Sequence, residues 1–461
     1  MSKYAEILAD LERRIASGEY AAGRKLPSVR EAAALYGCSV NTMVRAYAEL
    51  EKRHAVYSIP RSGHYVVDGP SGRREAADGP IDLSASTPDP ELFPLQDFRH
   101  CLNQALDAHG RELFTCADGR GLEPLRQALA SHFAEDQVFA GAERIRIVPG
   151  VNRALELLAR MPFPNGNGTI LVEQPSYDLY LRFLEEAGIP VRGIGRTAEG
   201  VDLDELERLF RSGGIKFFYT MTRHHSPLGA SYSLEERKAI ARLAGKYGVY
   251  VVEDDYLADM GDARGLDPIH AYDRSGHVIY LKSFSKTVFP GLQLGAAVLP
   301  ERLLKPFDGM RRYGDTPPLT QAALEVYLRS GMYERHRRMI RNRYAERMRA
   351  LAAALKLHGA WDWPCAPDIR PGLYAPLMLP RTVNLERLAR RLADRGVRVV
   401  SGKAGYLKSY RDWMKFLRLS VARANPQRIE EGVRRIAEEV RREAGRSPEG
   451  IFPRWKGAMR R

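Results

Sequence analysis

Cysteine is scarce in this chain: Cys38, Cys101, Cys116 and Cys365 are the only four in 461 residues, and no two form a Cys-x-x-Cys pair. This spacing argues against a cysteine zinc site or a disulfide framework and fits a reducing cytoplasm. No run of about eighteen apolar residues occurs, which excludes a membrane-spanning helix. The opening Met1-Ser2-Lys3-Tyr4-Ala5-Glu6 lacks the apolar core of a signal peptide and already alternates as a helix does, so a cytoplasmic location is expected. Acidic residues are outnumbered, 57 to 71, giving a formal charge of +14. A basic balance suits a polyanion such as DNA without requiring one.

What is present is the composition of a soluble globular protein, 44% apolar and 28% charged, in a chain too long for one ordinary domain. The basic excess is not gathered in any one candidate domain. Arg335 to Arg349 reads as a solvated helix face, and Arg441 to Arg461 as a helix end running into a loose basic tail over 446–461.

Residues 1–68 carry a short, complete pattern. From Tyr4 to Ser17, Ile7, Leu8, Leu11 and Ile15 fall on one helical stripe that Gly18 ends. Gly23 to Ser28 reads as a turn, with Ser28 and Glu31 as a capping box for a helix over Val29 to Leu35. Tyr36-Gly37-Cys38 turns the chain, and Ser39 caps a second helix bearing Thr42, Met43, Ala46, Tyr47 and Leu50. Two short helices about a glycine turn are a helix-turn-helix. Ala55 to Ile59 and His64 to Val67 read as a hairpin around Pro60-Arg61-Ser62-Gly63. Through Gly18, Gly23, Leu26-Pro27-Ser28, Arg30-Glu31, Ala33, Thr42, Ala46-Tyr47, Leu50 and Gly63-His64-Tyr65-Val66, the segment resembles the GntR-type winged helix. That resemblance implies that Arg30, Ser39, Asn41, Thr42 and Arg45 face DNA, with Gly63 at the wing tip. Hydroxyls at a helix N-terminus can hold phosphate, and Asn and Arg can read base edges.

Residues 69–80, rich in Gly, Pro and charge, read as a short tether. Beyond them, over 81–445, helical patterns alternate with strand candidates at Arg144 to Val148, Thr169 to Val172, Lys216 to Tyr219, Tyr250 to Glu253, His277 to Leu281 and Gly295 to Leu299. Such alternation predicts an α/β domain with a mainly parallel sheet as its large lobe. A helix-rich stretch over about 320–445, with a strand near Phe416 to Val421, predicts a small C-terminal lobe. No Gly-x-Gly-x-x-Gly follows the first strand candidate, which removes the usual dinucleotide fingerprint.

Local motifs sharpen the reading. Lys282-Ser283-Phe284-Ser285-Lys286, followed by Pro290-Gly291-Leu292 and Leu294-Gly295, resembles the cofactor-lysine segment of fold-type I aminotransferases. Glu253-Asp254-Asp255-Tyr256, Glu173-Gln174-Pro175-Ser176-Tyr177, His224-His225-Ser226-Pro227-Leu228-Gly229 and Arg418 in Leu417-Arg418-Leu419-Ser420 follow the same family's order. A GntR-type head on such a domain is the arrangement of the MocR-like regulators, which this chain resembles. The resemblance implies pyridoxal 5'-phosphate as cofactor, with Lys286 bonding its aldehyde. Asp254 would stand at the ring nitrogen, Tyr256 at the phenolic oxygen, and Tyr177 against the ring face. Ser283, Ser285, Gly150 and Asn152 would meet the phosphate, and Arg418 would clamp a ligand carboxylate. His224 and His225 read as loop histidines without a catalytic task.

The phosphate cup departs from the family. Gln293 stands seven residues after the lysine where Arg is usual, Val151 follows Gly150 where Ser or Thr is usual, and the region of Cys116 replaces a tyrosine lent by the partner subunit. Lys282 is a candidate replacement charge, though as a point charge and not a fork. The pocket therefore either binds pyridoxal phosphate with altered contacts or has turned to another ligand or none.

The expected function is a ligand-responsive regulator of double-stranded operator DNA, sensing a small amino compound, working as a homodimer and free of the membrane. The alternatives are an aminotransferase that carries a DNA-binding head, and a spent aminotransferase fold that only dimerises the heads.

Overall fold

The computed structural model describes residues 3–21, 23–52, 55–59, 62–66, 79–115, 119–260, 266–311, 315–358, 372–380 and 382–444. The chain divides into two units, Met1–Gly79 and Pro80–Arg461. Cys116, the tether through Asp78 and the basic tail lie outside the described residues. Among the described residues, no helix is long and apolar enough to cross a membrane.

In the first unit the helical stripes meet. Ile7, Leu8 and Leu11 of α1 (Lys3–Ala16) pack with Ala32 and Ala33 of α2 (Val29–Leu35) and with Met43, Ala46, Tyr47 and Leu50 of α3 (Val40–Lys52). The capping box forms at α2: Ser28 N donates to Glu31 Oε2 at 2.7 Å, and Glu31 N donates to Ser28 Oγ at 3.3 Å. Ser39 Oγ accepts from Thr42 N at 3.1 Å and starts α3. β1 (Val56–Ile59) and β2 (Gly63–Val66) make the antiparallel wing. The stretch from Gly23 to Leu26, expected as a turn, instead runs beside β2. Gly23 N and Leu26 N donate to Val66 O and His64 O, and Val66 N donates to Arg24 O at 2.9 Å. The open edge of β2 carries donors and acceptors that need partners, and this stretch supplies them.

The second unit opens with β3 (Ile81–Asp82) and builds one large sheet. Its strands are β4 (Ile145–Val148), β5 (Thr169–Gln174), β6 (Val191–Thr197), β7 (Gly200–Val201), β8 (Ile215–Thr220), β9 (Tyr250–Asp254), β10 (Val278–Ser283) and β11 (Gly295–Val298). They lie in the order β4-β11-β10-β9-β8-β5-β6-β7. Pairings from β10 through β6 are parallel, while β11 runs against both its neighbours and β7 against β6. The central strands are apolar runs because helices cover both faces. Along β9, Tyr250 and Val252 pack with the helices Val151–Arg160 and Asp178–Glu186, while Val251 packs with Leu203–Arg211 and Leu234–Tyr247.

The small lobe is an antiparallel sheet of β12 (Tyr374–Met378), β15 (Phe416–Ser420) and β14 (Val400–Ser401). It shares a core with the helices Met332–His358, Leu385–Asp394 and Pro426–Ala444. β3 pairs in parallel with β13 (Val397–Arg398), and Ile81 and Leu83 enter that core. The first residues after the tether thus join a lobe otherwise made by the far end of the chain. Helix Pro318–Arg329, read from sequence as the start of that lobe, packs Ala323, Leu324 and Tyr327 with Tyr280 and Phe284 of the large lobe. Arg335 to Arg349 is not wholly a solvated face. Arg337 is buried, 3.2 Å from Asp136 and 3.6 Å from Asp259, because its turn of helix faces a carboxylate-lined interior.

Candidate functional site

Parallel strands that end on one edge of a sheet place their following loops together. Here β4 leads to Gly150 and Asn152, β5 to Tyr177, β9 to Asp254 and Tyr256, and β10 to Ser283, Ser285 and Lys286. The small lobe adds Arg418 from β15. All nine of these side chains and backbone positions line one cavity of about 600 Å³. Met221, Ser226 and Tyr374 line it too; Ser226 was quoted in the sequence only within the His224 to Gly229 motif, and Met221 and Tyr374 were not singled out.

Asp254 is buried, and Tyr219 donates a 2.9 Å hydrogen bond to its Oδ2. Its Oδ1 has no hydrogen-bond partner among the described residues. Burial pushes the carboxyl up to about 7, with Asp255 adding to the rise and the Tyr219 hydrogen bond opposing it. An unpaired buried carboxylate oxygen is costly, so this site is built for a donor that arrives with a ligand. A protonated ring nitrogen is such a donor. Burial, and then the charge of Arg418, bring the Lys286 ammonium down to about 8. Lys286 Nζ donates to Ser86 O, and Arg418 donates to Ser84 O at 2.7 Å. The Arg418 guanidinium lies 4.7 Å from the Tyr374 ring centre, and its buried Nε has no hydrogen-bond partner among the described residues. Tyr256 Oη donates to His224 O at 3.1 Å.

The cavity is also lined by the N-terminus of helix Val151–Arg160, which carries no side-chain cap and is reached through Gly150 at φ 83°. Such a terminus presents free amides to an anion. Gln293 lines the same cavity, exposed and at φ 49°. Lys282 does not reach this cavity. It is fully buried and donates to Asp259 Oδ2 at 2.7 Å, which corrects its reading as a replacement phosphate charge. Ser283 faces the cavity, and neighbours on a strand point to opposite sides.

Behind the cavity, Glu173 was quoted in the sequence only as a neighbour of Tyr177. It is fully buried and accepts from Thr220 Oγ1 at 2.8 Å, Tyr232 Oη at 2.6 Å and Met221 N at 3.1 Å. His225 Nε2 lies 3.2 Å from its carboxylate and the Arg196 guanidinium 3.8 Å. Burial works to raise Glu173, but these neighbours hold it down at about 2. Glu173 therefore holds, through Thr220 and Met221, the start of the loop that carries Ser226 into the cavity.

In the head, Arg30, Ser39, Asn41 and Arg45 are exposed, and Thr42 is half-buried with its hydroxyl 2.8 Å from Ser39 Oγ. The Arg45 guanidinium lies 5.7 Å from the Tyr4 ring centre. Gly63 takes φ 124° where the Lys25 side chain approaches, a conformation glycine permits. Val40 and Val44, 49% and 46% exposed, share the outer face of α3 with Asn41 and Arg45 and were not singled out in the sequence.

Such a fold and cavity define a protein of the pyridoxal-phosphate aminotransferase type, joined to a winged helix-turn-helix. Residues 79–436 match the family model for aminotransferase class I and II, and residues 3–66 match that for bacterial regulatory proteins of the gntR family. The chain belongs to the aminotransferase class I and II family and, with its gntR-family head, has the MocR-type architecture. It is 43% identical to the uncharacterized HTH-type transcriptional regulator YcxD of Bacillus subtilis, over 94% of this chain and 99% of that protein. It is 28% identical to a 2-aminoadipate transaminase of Thermus thermophilus, over 79% of this chain and 90% of that one. A multiple substrate aminotransferase from Thermococcus profundus superposes with a TM-score of 0.74 at 26% identity, covering 81% of this chain and 94% of that structure. Such a fold implies pyridoxal phosphate, and the gntR-family head implies DNA.

Proposed function

We propose that this protein is a ligand-responsive, DNA-binding transcription regulator whose sensor is a pyridoxal-phosphate-dependent, aminotransferase-like domain. One observation carries the reading: a single cavity gathers Lys286, the unpartnered Oδ1 of Asp254 and Arg418 in a chain that begins with a gntR-family head. When bound, pyridoxal phosphate supplies an aldehyde that captures amines and a ring that accepts electrons. Lys286 offers its amine to that aldehyde, Asp254 holds the ring nitrogen protonated, and Tyr177 gives a flat wall. The amides of Gly150 to Asn152, with Ser283 and Ser285, hold the phosphate. Gln293 in place of an arginine removes a charge-assisted contact worth about 1.5–3 kcal/mol, or roughly tenfold or more in affinity.

The effector is a small amino compound with a carboxylate, which Arg418 clamps. Occupying the site takes Lys286 from Ser86 O and Arg418 from Ser84 O. Those carbonyls belong to the segment that leads back to the tether, and this loss of contacts gives the ligand a difference in free energy between two states of the chain. The active form is a cytoplasmic homodimer that sets two heads on paired half-sites.

The complete set of Lys286, Asp254, Tyr256 and Arg418 also favours a second reading, an aminotransferase with a DNA-binding head. Visible spectra with added pyridoxal phosphate, wild type beside Lys286→Ala, test the first. A band in wild type alone, altered by amino compounds that also change operator affinity, supports the regulator. No band in either protein defeats it, and sustained amino transfer abolished in Lys286→Ala favours the enzyme.

A further inference from the structure

A second cavity, of about 410 Å³, lies away from the cofactor site and is lined by His132, Glu135 and Glu334 among others. His132 and Glu135 share a face near the end of helix Glu123–Glu135, three residues apart. Glu334 comes from the first turn of helix Met332–His358. One ligand atom from each of the three lies within 4.8 Å of the others.

Three features single this group out from an ordinary acidic surface. His132 is only 7% exposed, and among the described residues neither the Nδ1 that faces Glu334 nor the Nε2 behind it has a hydrogen-bond partner. Glu334 Oε1, also buried, has none either. His132 Nδ1 and Glu334 Oε1 face each other at 3.6 Å, too far for a hydrogen bond. Two ligands held about 2.1 Å from one tetrahedral ion are about 3.4 Å apart, which is close to this separation. Arg337 meanwhile binds the other oxygen of Glu334 at 2.9 Å and so aims Oε1 at the imidazole. A fixed partner behind a ligand is one mark of a metal site, and Glu334 has one in Arg337.

We propose that His132, Glu135 and Glu334 hold a divalent transition-metal ion of the zinc class, with water completing its shell from the cavity. An imidazole with two carboxylates suits zinc better than magnesium or calcium, which prefer oxygen alone. The neighbouring group of Asp136 and Asp259 is not the site, because Lys282 and Arg337 already neutralise it. The ion would act on the cofactor loop by a short route. Tyr333, next to Glu334, donates to Asp259 at 2.8 Å, and Thr287, next to Lys286, donates to the same oxygen at 2.6 Å.

The test is calorimetric titration of the full chain with zinc chloride, and with cobalt chloride while following visible d–d bands. One ion per chain is expected. Glu135→Gln and Glu334→Gln each weaken it by at least about tenfold, while His100→Ala, at an exposed position of helix Leu95–His109 outside this cavity, leaves it unchanged. Glu135 is exposed, so its variant folds. Failure to bind zinc, or binding indifferent to both glutamine variants, overturns the proposal.

Discussion

An amine of ordinary lysine basicity is deprotonated in roughly one molecule in three thousand at neutral pH, too few to attack an aldehyde quickly. Burial and the Arg418 charge bring Lys286 to about 8, where roughly a tenth is free amine. The rate at which the visible band forms on adding pyridoxal phosphate should therefore rise through pH 8 and level above it. Arg418→Ala removes one cause of the lowering, so the inflection should move upward. A stopped-flow pH series reads both, and an inflection near the ordinary lysine value of 10.5 in wild type contradicts this account. Lys286, Asp254 and Arg418 stood out in the sequence through motifs that resemble the fold-type I aminotransferases, and the structure brings the three to one cavity. Ser84 and Ser86 were not legible, because they act through backbone carbonyls that any residue supplies. Lys282 misled for a different reason: charge is visible in a sequence, but the face of a strand toward which it points depends on register.

At the scale of elements, α3 and the segment Ser84 to Thr87 each have one task. On α3 the buried stripe of Met43, Ala46, Tyr47 and Leu50 leaves Val40, Asn41, Val44 and Arg45 facing outward. Arg45→Ala should weaken specific operator binding by about 1–3 kcal/mol if Arg45 reads a base, and flatten the preference at one position. Fluorescence anisotropy with operator and scrambled duplexes separates this from a phosphate contact, which would weaken both alike. The helices here were legible from periodicity and caps, whereas the pairing of Gly23 to Leu26 with β2 was not, since edge pairing leaves no side-chain signature. Ser84 to Thr87 is held from several sides: Ser420 Oγ donates to Ala85 O at 2.6 Å, and Arg423 donates to Thr87 Oγ1 at 2.6 Å. Thr87→Val removes the second hold without touching the cofactor residues. If this segment carries the signal, the variant should bind operator without effector as wild type does with it, and should bind effector more tightly. A change in one affinity and not the other would detach the segment from the switch.

At the scale of the whole molecule, the question is what covers the exposed apolar residues of the second unit. Leu95, 62% exposed, begins helix Leu95–His109, and Phe114, 74% exposed, ends the turn that follows it. Large apolar side chains left open on neighbouring elements are a common mark of an interface. A homodimer that buries this segment removes both from water, and a fully buried Phe contributes about 1.5–3 kcal/mol per copy. Phe114→Glu places a charge where that contact would be dry, yet at an exposed position that leaves folding intact. Analytical ultracentrifugation should find wild type as a dimer at micromolar concentration and the variant shifted toward monomer. Paired half-sites raise DNA affinity only when both heads are joined, so the variant should lose the gain of a double site over a single one while keeping its affinity for a single half-site. A wild-type protein that sediments as a monomer, or a variant that stays dimeric with the double-site gain intact, would remove this face from the assembly and with it the geometric basis for reading two half-sites.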